Sequence, residues 1–175
     1  MDIVGKKLWK LIEHISYTVL SWLFGITGAK LSEERFQAIM QFVKFGIVGV
    51  SNTVISYVLY ALSLLFFQRY HLIPKLDYLT AQFIAFMLSV LWSFYWNNKL
   101  VFVMKEGEKR SVWKALLKTY ISYSFTGLIL NSILLVLWVQ LLHISEFLAP
   151  IINLLVSVPI NFFINKLWAF RTQQK

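Results

Sequence analysis

Two asparagines occupy matching places in two nearly repeated stretches of the sequence, FYWNNKLVF from position 94 and FFINKLWAF from position 162. Each stretch has an aromatic pair, an apolar residue, Asn97 or Asn165, and a phenylalanine at its end, and each closes a long apolar run. A carboxamide both donates and accepts hydrogen bonds, so it can replace water around a hydroxyl-rich group. Lys99 and Lys166 follow closely. Amides that lead to a cation suit an anionic head group that carries hydroxyls.

A wider alignment of the two stretches predicts a polar seam on two helices. In the later run, four polar side chains recur at a spacing of four and therefore share one helix face; they are Asn153, Ser157, Asn161 and Asn165. The earlier run has a weaker seam, with Ala85 in the place of Asn153; its polar members are Ser89, Ser93 and Asn97. We expect Asn97, Asn161 and Asn165 to contact the head group. An open alternative is that the twin asparagines are helix caps that satisfy terminal carbonyls.

A second pair of asparagines lies inside the other two apolar runs, in NTVI at Asn52 and in NSIL at Asn131. An unpaired polar group in hydrocarbon is costly, so both must face another helix or a wet cavity. Such groups contribute about 0.6–2 kcal/mol as bonds between helices. For this pair we favour helix–helix packing, with a binding role as the alternative. Pro159, within the seam, is interpreted as a kink or as a means of widening a groove.

The composition excludes an ordinary soluble domain and most catalytic chemistry. Only 14% of the 175 residues are charged and 58% are hydrophobic, whereas about a quarter of a soluble domain is charged. The absence of cysteine excludes disulfides and thiolate catalysis, and the three histidines are too scattered for a metal site. No carboxylate lies inside an apolar run, which disfavours a proton-coupled efflux transporter. We therefore expect no enzyme activity, no cofactor and no metal.

Four apolar runs are long enough to cross a bilayer core of about 30 Å. We predict spans at residues 45–67, 78–96, 120–142 and 147–167. Of the 17 Lys and Arg residues, only Arg69 and Lys75 fall in the two loops on one side. Basic loops stay in the cytoplasm, so both termini are expected there. The net charge of +9 is thereby explained by topology, and we expect no nucleic-acid partner.

The pattern predicts an all-α protein of the cell membrane. Because the matched stretches close the second and fourth spans, we expect two helical hairpins that are parallel repeats, related by an axis along the membrane normal. Residues 1–43 should add an amphipathic helix that lies in the membrane interface. Its polar face is Lys6, Lys10, Glu13, Tyr17 and Ser21. Residues 105–120 mix apolar and basic side chains and are predicted to lie on the inner leaflet.

With these features, the chain resembles the GtrA-like family of four-span membrane proteins. The resemblance rests on FVKFGIVGVSNTVISYVLY at the start of the first span and on NNKLVF and NKLWAF at the ends of the second and fourth. It covers roughly residues 42–171. The family motif is Asn followed directly by Arg or Lys, then an aromatic residue near a closing Phe; it is met by Asn165, Lys166, Trp168 and Phe170. In the first copy Asn98 intervenes, which displaces Lys99 by about 100° around a helix.

The resemblance implies a four-helix domain at residues 44–175 and a role in glycosylating cell-surface polymers. The family is associated with moving a polyprenyl-phosphate-linked sugar from the cytoplasmic to the outer leaflet, where a separate glycosyltransferase uses it. We therefore expect a flippase that serves cell-surface polysaccharide or teichoic acid, with Lys166 and Lys99 holding the phosphate. The alternative is a non-catalytic membrane partner that anchors a polyprenyl-phosphate glycosyltransferase.

The expected partners are the lipid-linked sugar, membrane lipids and further copies of the chain. Four helices enclose too little volume for a sugar-sized path, so a homo-oligomer is expected. The charge bias predicts parallel subunits in that oligomer.

Overall fold

The computed structural model describes residues 3–26, 31–72, 76–145 and 148–174. Contacts divide the chain into two compact units, residues 1–44 and 45–175. Each unit is described by itself.

The first unit contains helix α1 (Ile3–Ile26) and the beginning of helix α2 (Glu33–Arg69). The Ser32 hydroxyl accepts a hydrogen bond from the Arg35 amide at 3.4 Å, as expected for a helix start. The ring of Tyr17 meets that of Phe36 edge-on at 5.2 Å. Apolar side chains form an exposed stripe on α1: Ile15, Val19, Trp22 and Ile26.

The second unit contains the rest of α2 and all the remaining elements. Helix α3 (Asp77–Trp96) continues into a π-helical turn, Asn97–Val101, which we call the α3 π-turn. Helices α4 (Val112–Ser124) and α5 (Asn131–Val136) form one rod with the π-helical segments Phe125–Leu130 and Leu137–Leu141. Helix α6 (Ala149–Ile164) continues into the α6 π-turn, Asn165–Ala169. Strands β1 (Glu108–Lys109) and β2 (Gln173–Gln174) pair antiparallel.

Within the described residues, four helices are long and apolar enough to cross a membrane, which confirms the all-α four-span fold. They are Glu33–Arg69, Asp77–Val101, Val112–Leu141 and Ile151–Ala169. The helix that starts at Glu33 runs without a break into the first span. The predicted start of the fourth span, residue 147, lies outside the described residues. Helix α6 continues through Pro159.

The helix of the third span is longer than the predicted span. The span was predicted at residues 120–142, and it belongs to a helix that begins at Val112 and runs with its π-helical segments to Leu141. Ser111 caps this helix by accepting a hydrogen bond from the Lys114 amide. The location of residues 105–120 on the inner leaflet stays a prediction, and lysine at the end of a span can reach the interface with its long side chain.

An aromatic cluster joins the ends of α3 and α6. The rings of Phe102 and Phe170 stack at 4.6 Å. Phe94 stacks on Phe170 at 5.5 Å, and Phe162 stacks on Phe102 at 6.0 Å. Since Phe94 aligns with Phe162 and Phe102 with Phe170 in the repeated stretches, these two outer contacts are equivalent. Such stacked pairs add about 0.5–1.5 kcal/mol each beyond their buried area.

Candidate functional site

Asn97 and Asn165 each begin a π-turn at the end of a membrane helix. In the two turns, the amides of Phe102 and Phe170 donate to the carbonyls of Asn97 and Asn165, both at 2.8 Å. Both asparagines are fully buried. The two copies of the repeated stretch therefore share one local geometry. Single π-turns within α-helices are frequent at functional sites.

The two polar seams face helix α4. The Asn165 Nδ2 donates to the Asn161 Oδ1 at 2.9 Å and to the Ser122 hydroxyl at 3.3 Å. It also donates to the Asn161 carbonyl at 2.8 Å, so it satisfies a helix carbonyl as a cap would. On the other side of α4, the Asn97 Nδ2 donates to the hydroxyls of Ser93 at 3.1 Å and Tyr123 at 3.3 Å. Neighbouring residues of α4 thus hold α3 and α6.

Ligand contact by Asn97 and Asn165 remains a prediction. Their surroundings show how a ligand could reach and bind them. Among the described residues, the Oδ1 atoms of Asn97 and Asn165 are buried and have no hydrogen-bond partner. Each therefore keeps an acceptor for another donor. Because both side chains are enclosed against α4, a head group would reach them only if α3 or α6 moved away from α4.

The second hairpin is closed at the depth of Asn131. The Asn153 Oδ1 accepts a hydrogen bond from the Trp138 indole at 2.8 Å, and the Asn153 Nδ2 donates to the Asn131 carbonyl at 3.0 Å. Asn131 thus packs between α5 and α6, although its own Oδ1 finds no partner among the described residues. The contact involves the backbone carbonyl of Asn131, so the favoured interpretation of its side chain as a packing group stays a prediction.

The first hairpin is open at the corresponding place, and we call the opening the polar groove. It is a shallow, open depression of about 310 Å³ on α2 and α3, and it is lined by Asn52, Thr53, Ser56, Tyr57, Tyr60 and Gln82. Ala85 stands where the second hairpin has Asn153, so no amide bridges the two helices there. The Asn52 Oδ1 is buried and unpaired within the described chain. Beside the groove, the Trp92 indole donates to the Ser51 hydroxyl at 3.3 Å.

The structure does not bring Lys99 and Lys166 into the polar groove. The Lys99 Nζ donates to the Tyr95 hydroxyl at 3.1 Å and lies 5.5 Å from the centre of the Trp96 ring. The Lys166 Nζ lies 5.4 Å from the centre of the Phe162 ring. Both cations therefore lie over aromatic rings of their own helix turn. Their predicted phosphate contact remains untested.

A basic pocket between the start of α4 and the end of α6 was not predicted as a site. It encloses about 520 Å³, and its lining includes Glu108, Lys109, Arg110, Lys114, Lys118 and Arg171. The available sequence signal was the spacing of four between Arg110, Lys114 and Lys118. That spacing was interpreted as a surface for the inner leaflet, because the sequence does not show that α6 ends beside it.

Arg110 forms the inner wall of the basic pocket. Its guanidinium donates to the carbonyls of Phe170 at 2.8 Å and Phe102 at 3.0 Å, and to the Asn98 Oδ1. It also lies 5.0 Å from the centre of the Phe170 ring. Burial lowers the pKa of Arg110, and the nearby Glu108 carboxylate opposes this shift. Because arginine ionises far above neutrality, the group remains a cation.

The chemistry available to these groups is hydrogen bonding and anion binding. Within the described part of the chain, no group of three or more His, Cys, Asp or Glu side chains could hold a metal ion. The polar groove offers amide and hydroxyl groups, and the basic pocket offers cations.

Two comparisons bear on the identity of this arrangement. The family model for the GtrA/DPMS transmembrane domain matches residues 44–170. The matched region contains both π-turns, the polar groove and all of the basic pocket except Arg171. No curated protein matches the chain.

Proposed function

The chain belongs to the GtrA/DPMS transmembrane-domain family, and from this premise we propose that it is a facilitator, or flippase, for a polyprenyl-phosphate-linked sugar. Membership makes it a multi-pass membrane protein of processes that involve such lipids. In the proposal, the sugar moves from the inner to the outer leaflet. There it serves the glycosylation of cell-surface polysaccharide or teichoic acid.

The observation that carries the proposal is the polar groove. All six lining side chains carry hydrogen-bonding groups, although the groove lies within two membrane spans. From Asn52 to Tyr60 it extends about 12 Å along α2, at a rise of about 1.5 Å per residue. Polar groups in hydrocarbon are expensive unless they bind a partner. A sugar ring that passes along the groove would be such a partner.

The predicted site residues have definite places in this proposal. Lys99 and Lys166 contact the phosphate near the cytoplasmic ends of α3 and α6. Asn97, Asn161 and Asn165 contact the sugar when α4 separates from its neighbours. The prenyl tail stays in lipid. Consumption of the sugar outside the cell sets the direction, and both termini lie in the cytoplasm because of the charge bias.

The test is transbilayer movement of a polyprenyl-phosphate sugar in liposomes that contain only the purified protein. The Asn52→Leu/Gln82→Leu variant removes two polar groups from the groove. Each lost hydrogen bond to the crossing sugar raises the barrier by about 1 kcal/mol, so movement slows by roughly tenfold or more. The matched control, Ser63→Val/Gln140→Leu, removes two polar groups outside the groove and keeps its rate.

The same assay tests the predicted lysines and asparagines. Lys166→Ala and Asn165→Ala should each abolish or strongly slow movement. Unchanged movement in Lys166→Ala would remove that lysine from the mechanism. Equal slowing in the groove variant and in its control would show that the groove has no specific role in lipid movement.

A second candidate is a non-catalytic partner that positions a polyprenyl-phosphate glycosyltransferase. The exposed apolar stripe of α1 favours it, because such a stripe suits docking to a membrane or to a membrane protein. Co-purification of a glycosyltransferase, together with no lipid movement by the pure protein, would establish this role in place of transport.

A further inference from the structure

The basic pocket is built for an anion. Five cations and one carboxylate line its 520 Å³, and the carboxylate of Glu108 already accepts a hydrogen bond from the Lys105 amide at 2.9 Å. Two of the cations are engaged by the protein. Arg110 bonds to the carbonyls of Phe102 and Phe170, and the Lys118 Nζ donates to the Trp168 carbonyl at 3.1 Å. The other three, Lys109, Lys114 and Arg171, are exposed at the pocket.

The backbone fixes the position of these cations. Lys114 and Lys118 are one turn apart on α4 and so share a face. Lys109 lies on β1, which pairs with β2 just beyond Arg171 and thereby holds both ends of the pocket together. The pocket also opens beside the start of α4, where the helix dipole adds partial positive charge. Several donors from three segments therefore converge on one cavity.

The surroundings of the pocket favour a lipid as the source of the anion. Exposed apolar side chains form what we call the apolar rim: Met104, which lines the pocket, and Val112 and Leu117, which flank its lining residues on α4. Trp113 is 80% exposed, which is typical of an aromatic side chain at a membrane interface. A free phosphate would use the cations alone, whereas an amphipathic ligand would use the cations and the apolar rim together.

We propose that the basic pocket binds the phosphate of a prenyl-lipid head group at the cytoplasmic face of the membrane. Lys109, Lys114 and Arg171 contact the phosphate, while Arg110 and Lys118 fix the wall. The lipid tail lies along the apolar rim. The identity of the tail rests on the proposed function, whereas the phosphate site rests on the pocket itself. This assignment places a phosphate contact away from Lys99 and Lys166.

Calorimetric titration of the detergent-solubilised full chain tests the site with three probes: geranylgeranyl monophosphate, the neutral alcohol geranylgeraniol and inorganic phosphate. The prenyl phosphate should bind at least tenfold more tightly than either of the others. Equal affinity for the alcohol would overturn the anion site. Equal affinity for inorganic phosphate would overturn the assignment to a lipid.

The decisive variant is Lys109→Gln/Lys114→Gln/Arg171→Gln. Each lost cation weakens binding by about fivefold, so the triple variant should raise the Kd of the prenyl phosphate by about a hundredfold. The control Lys10→Gln/Arg35→Gln/Lys105→Gln removes the same charge from exposed positions outside the pocket and should change the Kd by less than twofold. An equal loss in both variants would reduce the effect to net charge and overturn the site. A folding defect is excluded if the triple Gln variant keeps the thermal stability of the wild type. It is also excluded if the charge-conserving variant Lys109→Arg/Lys114→Arg/Arg171→Lys binds the prenyl phosphate as the wild type does.

Failure of this site and failure of the proposed function give different results. If the wild-type protein binds the prenyl phosphate through the pocket but moves no lipid, the phosphate site is supported and the proposed function is overturned. If a pocket variant binds and moves the lipid as the wild type does, the proposed function is supported and the phosphate site is overturned.

Discussion

Arg110 connects the C-terminal ends of two membrane helices by bonding to one backbone carbonyl after each. Its two carbonyl partners, on Phe102 and Phe170, close the two repeated stretches. The planar guanidinium presents its donors in a fixed fork and so bonds both carbonyls in one defined geometry, whereas a lysine ammonium is a point charge on a flexible stem. Arg110 therefore holds the α3 and α6 π-turns in register, and the stacked rings of Phe102 and Phe170 lie beneath it.

Replacement of Arg110 should destabilise the fold more than replacement of its neighbours. Hydrogen bonds to charged groups contribute about 1.5–3 kcal/mol each, and partial exposure reduces this for Arg110. We expect Arg110→Gln to lower the free energy of unfolding by about 2–3 kcal/mol in mixed SDS–detergent titrations. Lys105→Gln, an exposed charge nearby, should change it by less than about 0.5 kcal/mol. Similar values for both variants would mean that Arg110 does not connect the helices.

The polar residues of the spans were predictable, but most of their partners were not. The spacing of four predicted that Asn153, Ser157, Asn161 and Asn165 share a face. It did not predict that this face meets Ser122, because a pattern on one helix carries no information about the opposing helix. Asn52 shows the same limit. Its packing role was favoured, and the structure shows that it also lines the polar groove.

At the scale of elements, hydropathy predicted the number of spans, and the helices that contain them can extend further. The helix of the third span begins at Val112, before the predicted start of the span at 120, because Lys114 and Lys118 can extend from a helix end and keep their charges in a polar environment. The π-turns at Asn97 and Asn165 have no signature in apolar periodicity, since they insert one residue in a helix whose sequence stays apolar. The repeated asparagine was the visible sign of them, and only the backbone hydrogen bonds reveal the geometry.

Helix α1 should lie in the membrane interface with its exposed stripe towards lipid. Because the chain has no cysteine, single cysteines can carry a spin label at chosen positions. Labels at 15, 19 and 26 should be accessible to oxygen, which dissolves in lipid, and labels at 10 and 21 to a water-soluble nickel reagent. The stripe provides the apolar area that interfacial binding needs. Equal accessibility at all five positions would show that α1 leaves the membrane.

At the scale of the whole chain, we propose that the two hairpins are parallel repeats that have diverged. The aromatic cluster supports this, because its two outer contacts exchange equivalent phenylalanines. The polar pairs differ between the halves. Asn153 closes the second hairpin with Trp138 and Asn131, whereas the first hairpin has Ala85 at the equivalent position in the sequence and carries the polar groove. The two hairpins are alike at their π-turns and differ in the middle, where the first has the polar groove. Each subunit would therefore provide a single path.

The open hairpin also predicts where subunits meet. None of the most apolar stretch of α2 is buried within the chain, and a polar groove that faced lipid would be costly. A second copy that covers the groove removes this cost, and parallel copies around a two-fold axis would bring identical positions of α2 together.

Single cysteines at positions 53, 57 and 60 of α2, which line the groove, should therefore cross-link to themselves in membranes under mild oxidation. Those at 151, 154 and 155, which are exposed on α6, should not. A disulfide needs Cα atoms within about 7 Å, so cross-linking should follow the helical period and fade away from the axis. Equal cross-linking on α6 would indicate random collision. If the thiols on α2 react with a thiol reagent but form no disulfide, no second copy covers the groove. The groove would then face lipid, and the subunits would meet elsewhere.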